Sequence, residues 1–173
     1  MSQIKVDSIV PRGGLPSGAF SGGIIQCVTA QTNNLVDYSG STSWRDVLSL
    51  TITPSSASSK ILLISQCTVG RGNSHPEAGS RYLRGSTPVY VHADPLSNQI
   101  PRGNAWGRSV DEDYAAITSY LGQVDSPSTT SATTYKLQVQ VSESNTWHLN
   151  RTYTNQDYGM NGTTTMQAFE LTA

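Results

Sequence analysis

Asp125–Val141 reads DSPSTTSATTYKLQVQV, and its two halves ask for different structures. The first half is a turn. Pro127 fixes its own φ, and the short hydroxyl side chains that follow bond to nearby backbone. The second half alternates. Tyr135, Leu137, Val139 and Val141 fall on one side, and Lys136, Gln138 and Gln140 on the other. That period of two predicts a half-buried β-strand with one wet face. An earlier stretch repeats the plan. Leu48, Leu50 and Ile52 alternate with Ser49, Thr51 and Thr53; TPSSASSK and then Ile61, Leu62, Leu63 and Ile64 follow.

Composition agrees with a strand-built chain. The 173 residues suit one domain, large enough to bury a real core. Ser and Thr make up about a quarter of the sequence, and charged residues only 13%. Such a surface bonds by hydroxyl and amide rather than by charge, and it lacks the Ala, Glu and Lys that helical bundles need. The net charge of −1 and the absence of a Lys/Arg-rich run argue against nucleic acid as a partner. No apolar run has the length of a membrane span, so membrane insertion is not expected. No basic segment leading into an apolar one opens the chain, which predicts synthesis and retention in a cytosol before final placement.

From these patterns the chain divides at residue 22. Residues 1–22 open with IKVDSIV, where Ile4, Val6, Ile9 and Val10 give a strand-like pattern, and continue into PRGGLPSGAFSGG. This composition cannot form a core of its own. It reads as an arm that adds a strand to another subunit or protein. Residues 23–173 read as an antiparallel β-sandwich of eight to ten strands, jelly-roll-like in connectivity. The expected strands are 24–32, 44–53, 60–69, 81–83, 89–92, 114–124, the run ending at Val141, 147–153 and 163–171. Residues 33–43 read as a polar loop, 70–80 as a loop, and 93–113 as a long excursion. The run through Ile64 is apolar enough to be covered on both faces.

Four stretches carry a resemblance. They are IKVDSI with its Gly/Pro-rich continuation into GGIIQ, LSLTITPSSASSKILL, DSPSTTSATTYKLQVQ and TTTMQAFEL. Together they make the chain similar to a family of virion structural proteins of tailed phages, the tail fibre or head fibre kind found among phages of marine bacteria and cyanobacteria. The resemblance spans nearly the whole chain and is weakest over residues 70–113. It implies a β-rich appendage, a homotrimer, in which neighbouring subunits cover part of Ile61–Ile64. The N-terminal arm would join other virion proteins. Host attachment, through a surface glycan, is the implied role. A capsid decoration or head-fibre protein is the nearest alternative, and a polysaccharide depolymerase the alternative from another class.

Chemistry-bearing residues are sparse. His75, His92 and His148 show no HxH or HxxxH spacing, so no metal pair is visible, and His148 falls on the wet side of its strand by parity. Asp111, Glu112 and Asp113 are the one acidic cluster, without a calcium-loop pattern and without the separated carboxylate pair that glycosidases require. No phosphate-binding, dinucleotide-binding or nucleophile-elbow motif occurs, so neither a cofactor nor an enzyme is expected. Tyr38, Trp106, Tyr114 and Tyr158 lie in or beside predicted loops. They read either as stacking platforms for a glycan or as rings covering the core edge or a subunit contact. Cys27 and Cys67 read as two small buried hydrophobes, with a disulfide between neighbouring strands as the alternative.

Overall fold

Strand order decides the architecture. A computed structural model describes residues 23–38, 43–71, 78–89, 103–106, 116–141, 146–152, 159 and 161–172. The arm positions Ile4, Val6, Ile9 and Val10 lie outside the described residues. The strands are β1 (Ile24–Thr32), β2 (Val36–Tyr38), β3 (Arg45–Ile52), β4 (Lys60–Arg71), β5 (Ala78–Arg84), β6 (Thr87–Val89), β7 (Asn104–Trp106), β8 (Ala116–Asp125), β9 (Thr133–Val141), β10 (Trp147–Leu149) and β11 (Thr164–Leu171). All the pairings are antiparallel.

Sheet A runs β1–β11–β4–β8 and sheet B runs β3–β9–β5–β6. Along the chain, β3, β4 and β5 alternate between the sheets, as do β8, β9 and β11. Two four-stranded sheets linked this way are a jelly roll. The expected fold class, an all-β antiparallel sandwich, is the observed one. Two short additions complete it. Strand β11 uses one edge of β4 over Lys60–Gln66, and β10, backed by β2, takes the same edge over Val69–Arg71. Strand β7 pairs with the start of β5.

The alternation of β9 sets the core. Tyr135, Leu137, Val139 and Val141 are fully buried. At roughly 2 kcal/mol for each apolar side chain, a one-residue slip would forfeit on the order of 8 kcal/mol, comparable with the whole stability of a domain. The register is therefore fixed by this face. Leu50 and Ile52 of β3, Ile61, Leu63 and Val69 of β4, and Met166 and Ala168 of β11 pack into the same cluster.

Three polar ties cross between the sheets or their connections. The Tyr82 hydroxyl of sheet B donates to the Leu121 carbonyl of sheet A at 2.8 Å and lies 2.7 Å from Ser65 Oγ. Asp125 of β8 accepts from Arg84 at 2.9 Å and from the Tyr135 hydroxyl at 2.6 Å, both on sheet B. Burial, and then the Asp125 carboxylate, hold the Tyr135 phenol far above its ordinary pKa. The third tie is Glu170 of β11, which is fully buried. Its Oε1 accepts from the Ser55 amide (2.7 Å), the Ser55 hydroxyl (2.6 Å) and the Ser59 hydroxyl (2.6 Å), all in the β3–β4 crossing. Its Oε2 accepts from Gln26 of β1 at 2.5 Å.

The turns follow their residues. Pro127 and then Ser128, at φ 52°, stand where a type II turn wants proline and a left-handed residue. The β5–β6 hairpin closes on Gly85-Ser86, with Gly85 at φ 60°.

Five sequence expectations need correction. Residues 33–43 contain strand β2, and Ala78–Ser80 belong to β5 rather than to a loop. Ile64 is not covered on both faces within this chain: it is 39% exposed, whereas Ile61 and Leu63 fill the core. Gln138 and Gln140 are buried, not wet. Gln138 sits between Asp46 and Arg81, bonded to each at 2.6 and 2.9 Å, and Gln140 pairs with Gly79. His148 is also buried. Its strand lies between β2 and β4, and its partner on β4 is Gly70, where an added Cβ would fall 2.1 Å from the Arg151 carbonyl. The Arg151–Thr152 backbone thus crosses the outer face at this point.

Burial alone would raise the Glu170 pKa, but the donors from Gln26, Ser55 and Ser59 outweigh it and hold the group down to about 2. The stability it confers is therefore complete above the ordinary carboxylate range and is lost as pH falls towards about 2. We expect Glu170→Ala to lower unfolding free energy by roughly 3 kcal/mol, since it strands buried donors. Glu170→Gln should flatten the acid limb of stability against pH. Urea titrations at neutral and acid pH read both effects.

Candidate interaction surface

The two outer faces of the sandwich differ in kind. On sheet B the face is ionic, with Asp46 set among Lys136 and Arg81. Asp46 accepts from Lys136 at 2.7 Å and from Gln138 at 2.6 Å, and the Arg81 guanidinium lies 4.1 Å from the centre of the Trp44 ring. The Lys136 hydrogen bond, against some burial, holds the Asp46 carboxyl below the usual range. A bulge of β3 between Asp46 and Leu48 lets Val47 and Leu48 both pack partly on the core. Beside it lies an open groove of about 450 Å³, lined by Thr32, Asn34, Asp46, Val47, Leu48, Ser49 and Lys136.

On sheet A the outward residues stand in register across four strands. One row is Val124, Leu62, Phe169 and Cys27; the next is Gly122, Ile64, Gln167 and Thr29; the third is Tyr120, Gln66, Thr165 and Gln31. None of these side chains is charged. Tyr120 is 67% exposed and Val124 49%. Exposed apolar side chains grouped on a charge-free sheet face are typical of surfaces that meet another molecule, and here they stand among Gln and Thr. Two side-chain amides tie sheet A to the chain beside it. Gln26 of β1 donates to the Thr53 carbonyl at 2.7 Å, and Asn104 of β7 donates to the Tyr120 carbonyl of β8 at 2.7 Å.

A third cluster lies at the β2–β10 corner. Asp37 accepts from both ring-side neighbours: His148 Nδ1 is 2.7 Å away and Arg151 Nη2 2.8 Å. The His148 hydrogen bond, opposed by burial and aided by Arg151, lowers the Asp37 pKa. Next to it the Tyr38 and Trp147 rings stack at 4.2 Å. Asn150, at φ 60°, closes the corner. Its side-chain amide donates to the carbonyls of Thr32 and Asn34, and its side-chain oxygen accepts from the Thr164 hydroxyl at 2.8 Å. This is a structural knot with its charges matched.

The sequence candidates scatter. Tyr38 is half-buried with one ring face on Trp147. Trp106 belongs to β7, remote in sequence and on the other sheet. Tyr114, Tyr158, His75, His92, Asp111, Glu112 and Asp113 lie outside the described residues. Of the four aromatics, Tyr38 and Trp106 are described, and they belong to strands of different sheets. Among the described residues no group of three or more His, Cys, Asp or Glu could hold a metal ion. Sequence reading missed the sheet A face, although the parity of Ile25, Leu62, Ile64, Tyr120, Val124 and Phe169 carries the signal.

The cysteines differ from each other. Both are free; Cys67 is in the core and Cys27 is exposed, which corrects the expectation that both are buried. Burial, against a hydrogen bond from Thr164, pushes the Cys67 thiol up to about 12.

No family model and no curated protein matches the sequence. Among solved structures, the chain is similar to a chain of the T=1 particles derived from infectious bursal virus, at 13% identity and a TM-score of 0.42. The likeness covers 95% of this chain and 41% of that one, so this chain spans well under half of that chain's length.

A thiol reagent should modify one cysteine quickly in the native protein and the second only on unfolding. Cys27→Ser should abolish the fast phase, and Cys67→Ser should leave it intact.

Proposed function

We propose that this chain is a structural protein of a viral particle: a fibre subunit, held in the virion by residues 1–22, with its sandwich projecting. The observation that carries this reading is the contrast of the two faces. An ionic face suits water, and the three charge-free rows of sheet A, with Tyr120, Ile64 and Val124 exposed, suit burial against protein. The resemblance of IKVDSI, LSLTITPSSASSKILL and DSPSTTSATTYKLQVQ to phage virion proteins supplies the particle. The polar groove on sheet B and the aromatic corner are the places where such a subunit would meet a host glycan.

Particles assembled with a chain lacking residues 1–22 should lose the protein on purification, while the truncated chain keeps its β-sheet circular dichroism. Retention on the particle would sink the anchoring role. Antibody labelling of intact particles separates a tail fibre from a head fibre or capsid decoration by where the label sits.

A further inference from the structure

We propose that the groove of sheet B is a strand-addition site, and that its occupant is the chain's own arm, with Ile4, Lys5, Val6 and Asp7 laid along the free edge of β3. The edge is open. Among the described residues β3 pairs with β9 on one side and with no strand on the other. The Thr134 carbonyl of β9 accepts from the Gly85 amide at 2.9 Å, so the Thr134 backbone is turned towards β5 and away from β3. Thr51, which faces Thr134, is therefore turned away from β9, since antiparallel pairs alternate between bonded and non-bonded. The side chains agree: the two hydroxyls meet at 2.9 Å, as befits the closer, non-bonded kind of pair. Ser49, two residues earlier, is turned the same way. Among the described residues nothing bonds the backbone amides or carbonyls of Ser49 and Thr51 on this edge.

Open backbone groups along an edge call for an extended chain. The groove of about 450 Å³ gives it room. Its charges choose the segment and its direction. On β9 Lys136 stands level with Ser49, and Gln138, two residues on, stands level with Asp46. In the arm Lys5 and Asp7 are also two residues apart, and in a strand they share a face. Laid parallel to β3, Lys5 comes beside Asp46 and Asp7 beside Lys136. Val6 then falls on the other face, with half-buried Leu48. The antiparallel direction would set Asp7 beside Asp46 and Lys5 beside Lys136, which is repulsive.

The path of the chain points the same way. Strand β1 runs opposite to β3: Gln26 reaches the Thr53 carbonyl at one end, and Thr32 lines the groove with Asp46 at the other. An arm parallel to β3 thus heads for the end where Gly23 leads into β1. From Ser49 to Thr53 is about 13 Å along the strand. Residues 8–22 can span up to about 50 Å, so they close this distance with slack. A segment tethered so closely has an effective concentration near the millimolar range, far above that of a second copy in dilute solution. The docked arm covers the groove, which would open to a glycan once the arm has left for the particle. That consequence rests on the proposed attachment and glycan roles; the docking itself does not.

Amide hydrogen exchange of the full chain, read residue by residue by NMR, tests this. The Ser49 and Thr51 amides should exchange about tenfold or more slowly than in Val6→Pro, which removes a strand donor and the side chain beside Leu48. The paired amides of β9 should keep their protection in that variant, since the substitution lies outside the sandwich. Exchanging the two charges, Lys5→Asp together with Asp7→Lys, keeps the composition and should also speed exchange at Ser49 and Thr51. Fast exchange at both amides in the native chain overturns the proposal, as does protection that Val6→Pro leaves intact. Protection that rises with protein concentration would assign the edge to the arm of a second copy, and likewise overturns it. Fast exchange at these amides, with particles still losing the chain that lacks residues 1–22, would overturn the docking and leave the attachment role standing.

Discussion

One buried carboxylate ties the last strand to the first and to the crossing between the sheets. Glu170 stands one residue before the end of the last strand, and its four hydrogen bonds reach the first strand and the crossing from β3 to β4. A charge removed from water at that depth is tolerable only with donors on both oxygens. The sequence TPSSASSK provides them. Its serines look like generic turn residues, but two of them serve the carboxylate, and that contact decides where the chain leaves sheet B and enters sheet A. The wide Ser/Thr content thus has a structural use beyond solubility.

The long strands were legible because a period of two over eight or more residues has little competition. Strand β1 falls on Ile24–Thr32 as its pattern predicts, and β9 and β11 follow their alternation closely. The strands β2 and β7 were not legible as such, since three residues carry no period, and β10 was read only within a longer run, 147–153. Polar residues on covered faces were misread for a different reason. Gln138, Gln140 and His148 take their burial from distant parts of the chain, Arg81 and Asp46 in one case and the Arg151–Thr152 backbone in another. Hydropathy records the cost of burying such groups but not the partner that offsets it. Glu170 was readable in principle, because Met166, Ala168 and Glu170 share one face of TTTMQAFEL. The candidate aromatics lacked such a guide, being assigned to loops rather than to a face.

The jelly roll explains why one molecule carries two unlike faces. Each sheet has one side in the common core, so its other side is free to be specialised without disturbing the packing. Sheet B spends its outer side on a Trp44–Arg81–Gln138–Asp46–Lys136 network. On sheet A the three rows from Val124 to Tyr120 carry no charge, and the charged side chains stand beyond them, Lys60 at the start of β4 and Asp37 with Arg151 at the β2–β10 corner.

That bare face also fixes how the protein responds to its medium. Paired ions at a surface fade once the Debye length shrinks to a few ångströms, as it does near molar salt. A neutral face has no such dependence, and excluded salts such as sulfate drive its burial harder. Whatever sheet A holds, it holds in brine as well as in fresh water, and the grip tightens where the ions of sheet B are most screened.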